Sequence, residues 1–221
     1  VMTGARARPF SKFASTIEAI GAVPTDEIMR QVVMTTATPK AAKLMQTERY
    51  AVGGVIPAGA VYLFVNDRSI DTVEEMSGKK IATLDYDAPS IKMVNHVGAA
   101  VVPSNSANFS GKFNNGSVDI AYAPAIAYKP LEMYKGLGEN GAILRYNLAY
   151  LDFQLVFHRE QFNDEYTQKS REFVAGLFDR AIKSIKQHTD EIEDHYWLDL
   201  PEAQQKEYNE MLRQVRITLR D

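Results

Sequence analysis

Residues 79–124 read KKIATLDYDAPSIKMVNHVGAAVVPSNSANFSGKFNNGSVDIAYAP. Three short runs rich in Ile, Val and Ala, at 79–86, 99–103 and 117–124, alternate with two stretches of helical composition at 88–98 and 107–116. Strands and helices of these lengths in strict alternation spell βαβαβ, the unit from which parallel sheets are built, because a parallel return needs a crossover helix. In such a sheet, ligand-binding loops lie at the carboxyl ends of the strands. Here those ends are "LDYDAPS", "PSNSANF" and "IAYAP".

Working outward, "YAVGGVIPAGAVYLFVN" at 50–66 reads as two extended segments with a bend at Pro57 to Gly59. The run "AILRYNLAYLDFQLVFHREQF" at 142–162 is β-branched or aromatic enough to be extended throughout. Before them, Phe13, Ile17 and Ile20 fall at helical spacing up to Gly21, Ile28 to Ala37 outline a helix from Thr25 towards Pro39, and Lys40 to Met45 suggests a short one. After them, Tyr166 to Gln187 carries Phe173, Leu177, Phe178, Ala181 and Ile185 on one helical face, and Pro201 suits the start of a last helix. The expected fold is α/β with two lobes of periplasmic-binding-protein type joined by hinge strands and closed by a helical C-terminus. Residues 1–62 belong to lobe I, 63–150 form lobe II, and 151–221 return to lobe I with the C-terminal helices. Lobe I lacks the early βαβ units that would complete its sheet.

Composition excludes several classes. With 25 Lys and Arg against 28 Asp and Glu spread along the chain, the net charge of −3 offers no basic patch for nucleic acid. The absence of cysteine removes disulfides, thiolate metal sites and a cysteine nucleophile. No window approaches the run of about 20 apolar residues that spans a bilayer. "SANFSGK" fails as a phosphate loop because Ser106 stands where the first glycine is required, and no HExxH is present. His188, Glu191 and His195 share a helical face, but the acidic surroundings make a solvated helix the strongly favoured reading over a metal site. No cofactor and no catalysis are expected.

The quoted strand ends, with "SIDTVEEMSGKKIATLDYD" and "YWLDLPEAQQKEYNEM", resemble the second half of the DctP-like periplasmic solute-binding proteins of TRAP transporters over roughly residues 50 to 221. "TGARAR" at Thr3 to Arg8 is similar to a first-lobe loop of a divergent, AdeT-like branch of that family. The resemblance implies a monomeric periplasmic protein that takes a small polar or anionic ligand into an interlobe cleft and presents it to membrane permease subunits. It also implies a chain that starts about one small domain into the mature protein. An interaction module of an envelope or efflux complex, with no soluble ligand, is the alternative. The family's carboxylate-gripping arginine falls on Ala82, a second family arginine aligns near Tyr62, and a family asparagine becomes Ala123.

Candidate ligand groups follow from the loops. In an extended segment Arg6 and Arg8 project to one side, where two guanidiniums make an anion site; paired surface salt bridges are the structural alternative. Asp85 and Tyr86 can face a ligand, while Asp87 reads as a helix N-cap. Ser104, Asn105 and Asn108 can hydrogen-bond a polar ligand or cap the next helix. Tyr122 and Tyr128 flank Pro124 and serve either as aromatic walls of the cleft or as core.

Overall fold

A computed structural model describes residues 1–220. In chain order its first elements are β1 (Met2–Thr3), α1 (Gly4–Ala7), α2 (Lys12–Ser15), α3 (Asp26–Ala37) and β2 (Tyr50–Val65). The alternating segment follows as β3 (Lys80–Leu84), α4 (Ala88–His96), β4 (Ala100–Ser104), α5 (Phe109–Asn114) and β5 (Ile120–Pro124). Then come α6 (Tyr134–Leu137), β6 (Ala142–Leu144), β7 (Ala149–His158), α7 (Asp164–Ala175), α8 (Phe178–Asp190), β8 (Trp197–Leu198) and α9 (Glu202–Arg220). The chain divides into two compact units, Val1–Ala60 with Ala149–Gln187, and Val61–Leu148 with the residues from His188 onward.

In the first unit, the Thr25 side chain accepts from the Ile28 amide and so starts α3 where the sequence places it. Asn163 does the same for α7 through the Tyr166 amide. α3 and α7 pack on each other, and Met29, Val33, Met45, Val52, Val55, Tyr150 and Phe178 fill the core beneath them. β1 pairs antiparallel with β7, which lies beside β2. Three expectations are corrected here. Residues 4–7 are a helical turn and not extended. β2 is one continuous strand, its bend absorbed by Gly59 at φ +104°. The helix expected over 166–187 is two helices, α7 and α8, broken at Gly176 and Leu177.

In the second unit, β3 runs parallel to β4, with Lys80 opposite Ala100 and Leu84 opposite Ser104, and parallel to β5 through Ile81 and Ile120. The alternating segment therefore folds as read. Val61 to Val65 of β2 flank β5 antiparallel, β6 joins the other edge of β2, and β8 joins β6 in parallel. Residues 145–148 leave the extended path between β6 and β7, so the run 142–162 is interrupted. α9 lies against α4 and buries Tyr208, Leu212 and Val215. The tail from His188 onward thus belongs with this unit, a grouping that the reading of 151–221 as a return to lobe I and C-terminal helices did not specify. Apolar patterning specifies that a helix has a buried face, and it leaves open which unit receives it.

Candidate functional site

The carboxyl ends of β3, β4 and β5 share one end of the second unit because the three strands are parallel. The Asp85 amide donates to the Ser104 carbonyl at 2.9 Å and ties the first two loops together. One residue past Tyr86, Asp87 caps α4, accepting from the Ser90 amide at 3.2 Å and the Ser90 hydroxyl at 2.5 Å. Burial pushes the Asp87 carboxyl above its ordinary range, against the hydrogen bonds from Ser90 and Tyr122. The Tyr122 hydroxyl accepts from the Leu84 amide at 3.0 Å, and burial together with Asp87 raises its own proton affinity. Asp87 and Tyr122 are therefore engaged in holding the strand end, while Asp85 is exposed and Tyr86 half-buried.

The next loop is braced by reciprocal side-chain caps. Asn105 Oδ1 accepts from the amides of Ala107 and Asn108, at 2.9 and 3.1 Å, and Asn108 Oδ1 accepts from the Asn105 amide at 2.9 Å. Both side chains are exposed, and among the described residues neither NH₂ group has an acceptor. Two amide donors thus face solvent at the end of β4, suited to a carboxylate or hydroxyl oxygen. Ser104 is buried, its hydroxyl donating to the Val102 carbonyl at 3.0 Å with Lys112 Nζ at 3.4 Å, so it braces the loop from below.

Tyr128 is fully enclosed among Phe64, Phe113 and Met133, and its hydroxyl donates to Glu193. Its ring is core, the second of the two roles the sequence leaves open. Ala82 and Ala123, at 2 % exposure each, belong to the same apolar cluster. Tyr62, half-buried, meets Trp197 edge-on at 5.1 Å, and the Arg145 guanidinium lies over Trp197 at 4.5 Å. Arg145 also pairs with Asp199 at 2.7 Å. Sequence reasoning missed this row. The available signal was Arg145, the single charge between Ala142 and Leu151, but its partner Trp197 lies some fifty residues away in sequence, beyond any local pattern.

In the first unit, Arg6 lies within α1 and Arg8 closes it, and both are exposed. Residues two apart on a helix point roughly 200° apart, so the alternation that would aim both arginines at one ligand is lost. Glu18 fixes the turn, accepting from the amides of Gly4 and Ala5 at 2.9 and 2.6 Å. His188 meets Glu191 at 3.4 Å, and among the described residues no three acidic, His or Cys side chains gather as a metal site.

The family model described as "Solute-binding protein AdeT 1/2" matches residues 1–221. "Probable solute-binding protein AdeT1" of Acinetobacter baumannii is 38 % identical over 219 residues, covering 99 % of this chain and 72 % of that protein. Among solved structures, a TRAP periplasmic solute-binding protein from Haemophilus influenzae with bound L-gulonate superposes with a TM-score of 0.81 at 11 % identity, covering 97 % of this chain and 72 % of that one. Another from Shewanella oneidensis, with bound succinate, gives 0.79 at 12 % identity, covering 99 % and 73 %. At such identities the likeness to the solved structures is one of fold.

Proposed function

The chain belongs to the AdeT 1/2 solute-binding protein family, and from that premise we propose that it captures a small hydroxylated organic anion without transforming it. The observation that carries the ligand class is the end of β4, where Asn105 and Asn108 turn two unpartnered amide donors to solvent beside the exposed Asp85 carboxylate. Amide donors take carboxylate or hydroxyl oxygens, and a carboxylate acceptor takes hydroxyl protons. Tyr86 supplies a ring face at the same strand ends, Tyr62 and Tyr122 are assigned supporting roles in the second unit, and in the first unit Arg6 or Arg8 is assigned a role in holding the anion. With Ala82 and Ala123 sealed in the core, the arginine that the resemblance implies at the first position and the asparagine at the second are both absent, and neutral donors take the anion instead.

We place the protein in the periplasm as a monomer that hands its solute to the permease subunits of a TRAP-type transporter. Two features support this: the solved neighbours are described as TRAP periplasmic proteins, and among the described residues no helix is long and apolar enough to cross a membrane. The test is thermal unfolding with gulonate, succinate and neutral polyols, followed by calorimetric titration of any hit. A saturable rise in midpoint with a hydroxy acid, reduced in Asn105→Ala, is the expected result. No shift with any compound, together with native mass spectra free of small-molecule adducts, would favour an interaction module of the envelope instead.

A further inference from the structure

The first unit contains a buried acidic cluster. Asp152, on β7, is 0 % exposed; its Oδ1 accepts from the Gln154 side-chain NH₂ at 2.9 Å, and its Oδ2 has no partner. Glu18, on the one-turn helix Thr16–Glu18, is half-buried and accepts from three amides, those of Gly4, Ala5 and Asp152, at 2.9, 2.6 and 3.0 Å. The two carboxyls crowd one spot. A Cβ built on Gly4 would stand 2.8 Å from Asp152 Oδ2 and 3.0 Å from Glu18 Cδ, so only glycine admits both. Of the elements around the Asp152 carboxyl, Thr16–Glu18 presents Glu18, β7 presents Gln154, α1 presents the Gly4 backbone, and α2 presents the Ala14 carbonyl, which accepts from the same Gln154 NH₂ at 2.9 Å.

Three bonded amide hydrogens identify Glu18 as the ionised partner, since a carboxylate is acceptor-only. A second charge on Asp152 would then sit desolvated beside it. We propose that Glu18 and Asp152 are positioning residues for the arginine turn, a clasp that holds Gly4 to Ala7 in place while Asp152 carries a proton and loosens when that proton leaves. Burial, and secondarily Glu18, hold the Asp152 carboxyl well above its ordinary range, which places the proton on Asp152. The link to ligand capture rests on the role given above to Arg6 or Arg8; the clasp itself does not.

The sign follows from proton linkage. A turn that has opened exposes Asp152 at its ordinary carboxylate value of about 4, whereas the closed turn holds the proton more tightly. Opening therefore becomes easier by about tenfold per pH unit between the two values and levels off above the higher one. The experiment is amide hydrogen exchange at Gly4 and Ala5, expressed as protection factors over a pH series, for the full chain and for Asp152→Asn. Protection is expected to fall about tenfold per unit in the parent and to be flat in the variant. A flat parent profile, or the same slope in both, overturns the clasp. If Asp152→Asn does not fold, Glu18→Gln decides: losing the neighbouring charge should lower protection overall while shrinking its pH-dependent part, and an unchanged pH-dependent part overturns the clasp. Succinate affinity measured over the same pH series is a separate arm. If succinate binds and its affinity falls with the amide protection, the arginine turn is a ligand element. If it fails to bind at any pH, the ligand reading fails and the amide profile still decides the clasp.

Discussion

Asp85 and Asp87 stand two residues apart and do different work. Asp87 spends both oxygens on the start of α4, so Asp87→Ala should cost about 1 kcal/mol of stability, read as a lower denaturant midpoint. Asp85 is exposed, so Asp85→Ala should leave stability within about 0.5 kcal/mol while weakening ligand affinity. Equal stability losses would show that both are structural. The arginines divide in the same manner. Because α1 turns Arg6 and Arg8 to different sides, one alanine variant should lose tenfold or more in affinity, by calorimetry, and the other less than threefold. Equal losses would mean the turn is extended when ligand is bound.

Among the elements, β2 is the one whose length was least expected. Sixteen residues stay in one strand because Gly59 takes a positive φ that other residues rarely adopt, with Ile185 of α8 2.9 Å from where a Cβ would stand. Gly59→Ala should therefore cost about 1–3 kcal/mol in equilibrium unfolding, and a neutral result would show that the strand can flatten. α9 docks through Tyr208, whose ring lies 5.0 Å from that of Tyr146 and whose hydroxyl donates to the Asp71 carbonyl at 3.1 Å. Leu212, fully buried, adds to that face, and Leu212→Ala should cost about 2–5 kcal/mol. That loss should be visible as early proteolytic release of the C-terminal helix.

At the scale of the whole molecule, the buried carboxyls set a direction for stability against pH. Asp87 and Asp152 both hold their protons above the ordinary carboxylate range when folded, so at these two sites the folded chain binds more protons than the unfolded one just above that range. Their contribution to stability is greatest on the acid side and is lost as pH rises from about 4 towards their folded values. Replacing both with asparagine should flatten the thermal midpoint over that interval and raise it at neutral pH, though the cap on α4 must survive the change. An unchanged profile would place the pH dependence on other groups.

The sequence by itself determined the alternating βαβαβ segment, the helix start at Thr25 and the cap at Asp87, the start of α9 after Pro201 and the solute-binding family, because each rests on contacts within a few residues or on a contiguous pattern. Tertiary structure decided the rest. Whether α9 packs in the first unit or the second, whether Tyr128 is wall or core, and whether Arg6 and Arg8 lie on strand or helix all depend on partners outside the local pattern: α4 for α9, Glu193 for Tyr128, Glu18 for the arginine turn. Local propensity is a weak force beside burial, and burial is settled only when distant segments meet.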